Sequence, residues 1–156
     1  MKSPLNSPLE VGVRVVMLLA EAFPVVLDLN RLVMLDHGLL HSADLGGPAS
    51  LHPELPIRAG EFGVKRQTIL RGLEIMMRAG LAEMIVTDHG IEFRADEQAE
   101  GFVNILASDY ARELHTRATW VVAMFGNLDE NSLRQQVRQI FDAWSEEFDQ
   151  SHWAGI

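Results

Sequence analysis

The chain has 156 residues, 47% of them hydrophobic and 22% charged, which is long and apolar enough for one packed domain and too apolar for intrinsic disorder. Thirteen Lys and Arg against 22 Asp and Glu give a formal net charge of −9, a field that opposes a nucleic-acid backbone unless basic groups gather on one face. The absence of cysteine excludes disulfides, thiolate metal sites and a cysteine nucleophile, and it suits a reducing compartment. Lys2 is the one positive side chain before Leu9 and no apolar core of signal-peptide length follows it. The most apolar stretch, Val11 to Ala20, is interrupted by Arg14 and is far short of a bilayer span. These features predict a cytoplasmic protein that does not cross a membrane.

Leu9 to Phe23 is apolar at nearly every turn, starts behind Ser7-Pro8 and is closed by Pro24, so it predicts a buried first helix. Val25-Val26-Leu27 is a short β-prone run, and Asp28 is a good N-cap for a second helix with Leu29, Leu32, Val33 and Leu35 inward. That helix is expected to end between Gly38 and Ser42. Gly46, Gly47, Pro48, Pro53 and Pro56 punctuate residues 43–58 and predict a surface excursion without regular structure. From Val64 to Arg78 the pattern is an amphipathic helix, with Leu70, Leu73 and Met77 on one side, Gln67, Arg71, Glu74 and Arg78 on the other, and Gly80 at C′.

Leu81 to Val86 and Ile91 to Arg94 flank Thr87-Asp88-His89-Gly90, a hairpin signal. Asp96 is expected to cap one helix reaching Phe125, which Gly126-Asn127 breaks. Asp129 or Asn131 opens a last helix with the stripe Leu133, Val137, Ile140, Phe141, Trp144 and Phe148. The expected fold is therefore mainly α with a small β-hairpin. Helix, strand, helix, helix and hairpin is the order of a winged helix-turn-helix, assigned to residues 1–95 with the excursion inside it, and residues 96–156 form a C-terminal extension of two helices packed on it.

Up to Arg94 there are nine basic and eleven acidic residues, net −2; from Ala95 there are four and eleven, net −7. Any face that approaches nucleic acid therefore lies in the first part. In a winged helix the start of the third helix enters the major groove, which makes Lys65, Arg66, Gln67, Arg71 and Arg78 the candidates for DNA or a partner. Glu83, Asp88 and Glu92 against Arg94 make the hairpin acidic, so a protein-docking or solvated face is the simpler account.

No clustered acid and base, no ligand set and no P-loop glycine motif is visible, so no catalytic residue, metal or cofactor is assigned. His37 and His41, beside Asp36, would bind a metal only with a third ligand, and a histidine favoured by the helix dipole explains each more simply. His52, His89, His115 and His152 read as solvent-exposed. Trp153, in a short tail with few apolar neighbours, reads as a partner contact.

Several segments together carry a resemblance: Ser3-Pro4-Leu5-Asn6-Ser7-Pro8-Leu9-Glu10, Leu27-Asp28-Leu29-Asn30-Arg31-Leu32-Val33-Met34-Leu35-Asp36, His41-Ser42-Ala43-Asp44, Leu51-His52-Pro53 and the helix from Val64 to Gly80. With these the chain resembles the middle component of three-component ABC-ATPase conflict systems, the group that includes Lamassu-type antiphage defence. The resemblance implies a small winged-helix accessory subunit that docks on an SMC-like or Rad50-like ABC ATPase and couples it to an effector, often a nuclease. It brings no catalytic residue, no small-molecule substrate and no membrane, and DNA only through the assembled complex. On that reading Leu27, Asp28, Asn30, Arg31, Asp36 and His41 form fold or docking elements around the second helix, and the excursion is a partner-binding loop. A DNA-binding regulator is the alternative.

Overall fold

The computed structural model describes residues 7–52 and 59–139. Ser7 opens helix α1, Pro8–Ala22, by accepting a hydrogen bond from Glu10 N, with Pro8 at the first helical position. Strand β1, Leu27–Asp28, leads directly into α2, Leu29–Leu40, whose N-cap Asp28 accepts from Arg31 N at 2.7 Å. Helix α3 spans Ala59–Arg78 and ends at Gly80, which takes the left-handed φ of +76° that a C′ glycine permits. Strands β2, Ala82–Thr87, and β3, Gly90–Ala95, follow as the expected hairpin. Helices α4, Ala99–Asn104, and α5, Asp109–Phe125, come next, and a helix α6 occupies residues 130–139.

The fold is mainly helical with one small antiparallel sheet, order β1-β3-β2, so β1 adds a third strand to the hairpin. Leu27 pairs with Phe93, and both are buried. Asp28 stands opposite Glu92, where like charges repel, and its carboxylate is turned to the cap of α2 instead. Helix α1 is the hub, packed on α3, α5, α4 and β3, while α5 also covers α2. Val15, Leu18 and Leu19 of α1 are fully enclosed with Leu32, Leu35 and Leu39 of α2 and Ile69 and Leu73 of α3. Each such side chain stabilises the fold by roughly 1.5–3 kcal/mol relative to exposure.

Four expectations need correction. The single helix from Asp96 to Phe125 is two, because Ser108 accepts from Ala111 N and starts α5 afresh. With α6 the region after Ala95 thus contains three helices among the described residues, not two. Helix α3 begins at Ala59, five residues before Val64. Its core face is Ile69, Leu73 and Met76, while Leu70 is 40% exposed and Met77 is half-buried, because α3 crosses α1 with Gly72 against Gly12 and that crossing sets the inward face.

The excursion, finally, is no bare surface loop in its described part. Ser42–Leu45 forms a 3-10 turn, Ser42 Oγ donates to Pro48 O, and Leu51 N and His52 N both donate to Leu40 O. Trp120 of α5 lies against Gly47, and Arg117 donates to Ala49 O, so this segment is seated on α5. Residues 53–58 lie outside the described residues, as do Phe141, Trp144, Phe148 and Trp153 of the C-terminal stripe and tail.

Candidate docking groove and the buried charge cluster

Three helices meet at one carboxylate. Asp36 of α2 is fully buried and accepts from Arg14 Nε at 2.8 Å and Arg14 Nη2 at 3.2 Å, a two-pronged pair from α1. Lys65 Nζ of α3 approaches the same carboxylate at 3.1 Å. Burial alone would raise the Asp36 pKa, but the charges of Arg14 and Lys65 outweigh it and hold the carboxyl far below its ordinary range. Burial likewise works against charge on Arg14, and Asp36 more than offsets it. The two cations keep this carboxylate ionised and tie α1, α2 and α3 together at one point.

The histidines extend this cluster. His37 and His41 stack with ring centroids 4.8 Å apart, His41 meets His52 edge-on at 6.2 Å, and His52 Nε2 shares a 2.8 Å hydrogen bond with Tyr110 Oη of α5. Burial, with Lys65 and the neighbouring histidines adding to it, pushes His37 down to about 2 and His41 down to about 4. Both rings are therefore neutral at pH 7, and the 3.4 Å approach of His37 Nε2 to Asp44 is not an ion pair there. Among the described residues no group of three or more His, Cys, Asp or Glu is arranged to hold a metal ion. His52 and His115 depart from the solvent-exposed reading, since His52 is half-buried on Tyr110 and His115 bonds Glu21 Oε1 at 2.9 Å.

The candidate surface residues divide sharply. Asp36 and His41 are interior, and Lys65 is turned inward to Asp36 with only 20% of its side chain exposed. Arg31 Nη1 donates to the carbonyls of Gly126 and Phe125, which closes the end of α5 against the start of α2. Gln67, Arg71 and Arg78 are exposed along α3. Asp28, Asn30 and Arg66, however, come together, with the Arg66 guanidinium bonded to Asn30 Oδ1.

Those three line one groove of about 460 Å³ between α2, α3 and α6. Its apolar wall is Val33 and Met34 of α2 with Leu133 and Val137 of α6, and α6 also supplies Glu130, Arg134 and Arg138. Sequence reasoning missed Arg134 and Arg138; the available signal was that they stand four residues apart, on one helical face beside Leu133 and Val137. It also missed Arg14, whose signal was a lone charge inside the most apolar run of the chain.

None of the described helices is long and apolar enough to cross a membrane. Comparison with curated proteins and with solved structures gives no match. The family model for middle component 2 of ABC-three component (ABC-3C) systems matches residues 4–147, nearly the whole chain. The chain accordingly belongs to the family of ABC-3C system middle component 2.

Proposed function

We propose that this middle component is a non-catalytic, cytoplasmic adaptor that docks on the SMC-like or Rad50-like ABC ATPase of its system and links it to an effector, a nuclease, in antiphage defence of the Lamassu type. The observation that carries the reading is the convergence of Asp28, Asn30 and Arg66, from two separate segments, on one open groove with an apolar wall. In the interior, in contrast, Asp36 is engaged by Arg14 and Lys65, and the stacked histidines are neutral. The test is co-expression of the tagged chain with its ATPase and effector, followed by purification and mass photometry. A complex of fixed ratio is expected, and a chain that purifies alone overturns the reading.

A second reading rests on the element order. The succession α1, β1, α2, α3, β2, β3 with sheet order β1-β3-β2 supports a winged helix-turn-helix with α3 as its recognition helix. DNA binding is the weaker use of such a body here, because Lys65 and Arg66, two turns into that helix, are engaged by Asp36 and Asn30. Fluorescence anisotropy on duplex DNA at low salt decides it. A flat titration is expected, and a salt-dependent affinity that drops on Arg66→Glu with Arg71→Glu, both exposed, would favour the regulator.

A further inference from the structure

We infer that the groove between α2, α3 and α6 receives an acidic, amphipathic helix of the ABC ATPase. The inference rests on the adaptor reading and adds the chemistry of the contact. The chain carries −9 overall, and its part after Arg94 carries −7 with four basic residues. Two of those four, Arg134 and Arg138, line this groove, and Arg66 joins them from α3. Neither Arg134 nor Arg138 has an ion-pair partner among the described residues. Against Asp28 and Glu130 these three arginines leave the groove lining at +1 on a chain of −9, and the Arg134–Arg138 face beside Val137 is complementary to carboxylates beside apolar side chains and repels a basic segment.

The spacing sets the shape of the guest. Arg134 and Arg138 are one helical turn apart, so their head groups sit about 6 Å from one another along α6. Two carboxylates four residues apart on a helix laid against α6 meet them in register, while its apolar face covers Val33, Leu133 and Val137. Glu130 lies eight residues before Arg138, about 12 Å along the axis. The groove is therefore acidic at one end and basic at the other, which fixes the direction in which the guest lies.

The experiment uses the full chain and the purified ABC ATPase, with affinity measured by biolayer interferometry at several salt concentrations. Arg134→Glu with Arg138→Glu is expected to weaken binding roughly tenfold or more and to flatten its salt dependence. Arg134→Gln with Arg138→Gln is expected to weaken it less, and Arg112→Glu, exposed but off the groove, to leave it within about twofold. A photo-crosslinking residue at Val137 should then capture an ATPase peptide with Asp or Glu at a spacing of four among apolar residues. If the wild-type chain binds the ATPase and both groove variants bind as tightly, the inference falls while the adaptor reading stands. Capture of a basic peptide, of the effector or of nuclease-sensitive material at Val137 overturns it as well. A wild-type chain that binds neither component removes the adaptor reading and this one with it.

Discussion

Arg14 and Asp36 face each other across α1 and α2 with both head groups out of water, Nε to Oδ1 at 2.8 Å, and Lys65 completes the site from α3. Removing one member of such a pair leaves a charge buried without its counterpart, which costs roughly 3–5 kcal/mol. Arg14→Leu is therefore expected to lower the urea midpoint strongly. Lys65→Met should cost less, since Lys65 is partly exposed and Arg14 still holds Asp36 by two hydrogen bonds. The double change Arg14→Leu with Asp36→Leu is expected to recover part of the loss. Double-mutant cycles by chemical denaturation measure the coupling, and additive losses would contradict it.

The stacked histidines predict a stability that falls on mild acidification. His37 and His41 have folded values near 2 and 4, below the ordinary 6.5, because they are buried and stand close to Lys65. The unfolded chain therefore takes up protons first. Stability is full above pH 6.5 and declines as pH falls below it, by up to about 1.4 kcal/mol per pH unit for each ring. The decline from His41 levels off near pH 4, and Asp36, whose value is lowered, adds its own loss below the ordinary carboxylate range. Urea unfolding at pH 7.5, 6 and 5 checks the slope, which His41→Phe should reduce by about one proton. A flat profile between pH 7.5 and 5 would show that the rings are not buried neutral.

Two glycines set how closely α1 and α3 approach. A Cβ at Gly72 would stand 2.7 Å from Gly12 N, and backbone cannot move aside as a side chain can. Gly72→Ala is expected to destabilise by roughly 1–3 kcal/mol. Gly101, in α4, has nothing within 4 Å of such a Cβ, so Gly101→Ala should stabilise by about 0.5–1 kcal/mol through helix propensity. Thermal unfolding of the two variants should move in opposite directions.

The parts of this fold that depend on neighbours in sequence were legible. Ser7, Asp28 and Gly80 mark helix ends by chemistry confined to four residues, and the Thr87-to-Gly90 turn pairs β2 with β3 at the register its length dictates. Ser108 escaped notice because Phe102, Leu106, Tyr110 and Leu114 keep a helical period of four straight through the break. Arg14, Asp36 and Lys65 were each visible as single charges, but their meeting depends on the packing of three helices 22 and 29 residues apart in sequence (36−14 and 65−36). The groove was legible by half: Asp28, Asn30 and Arg66 stood out in the segments of resemblance. Their joining with Arg134 and Arg138 required the position of α6, which no local pattern encodes.

Arg31 illustrates how the groove is held and offers a separation of roles. Its guanidinium donates to the Gly126 carbonyl at 3.0 Å and to the Phe125 carbonyl at 3.4 Å, which also accepts from Leu128 N in the turn after α5. Those carbonyls lie four and five residues before α6, so the contact ties the turn that leads into α6 to the start of α2. Arg31→Ala should lose roughly 1.5–3 kcal/mol of stability, the range for a hydrogen bond from a charged donor. Its effect on ATPase affinity should be smaller than that of Arg134→Glu with Arg138→Glu, and Arg31→Lys should restore part of the stability. A variant that melts like wild type yet no longer binds the ATPase would instead make Arg31 a direct contact, and the carbonyl bridge would then have no positioning role.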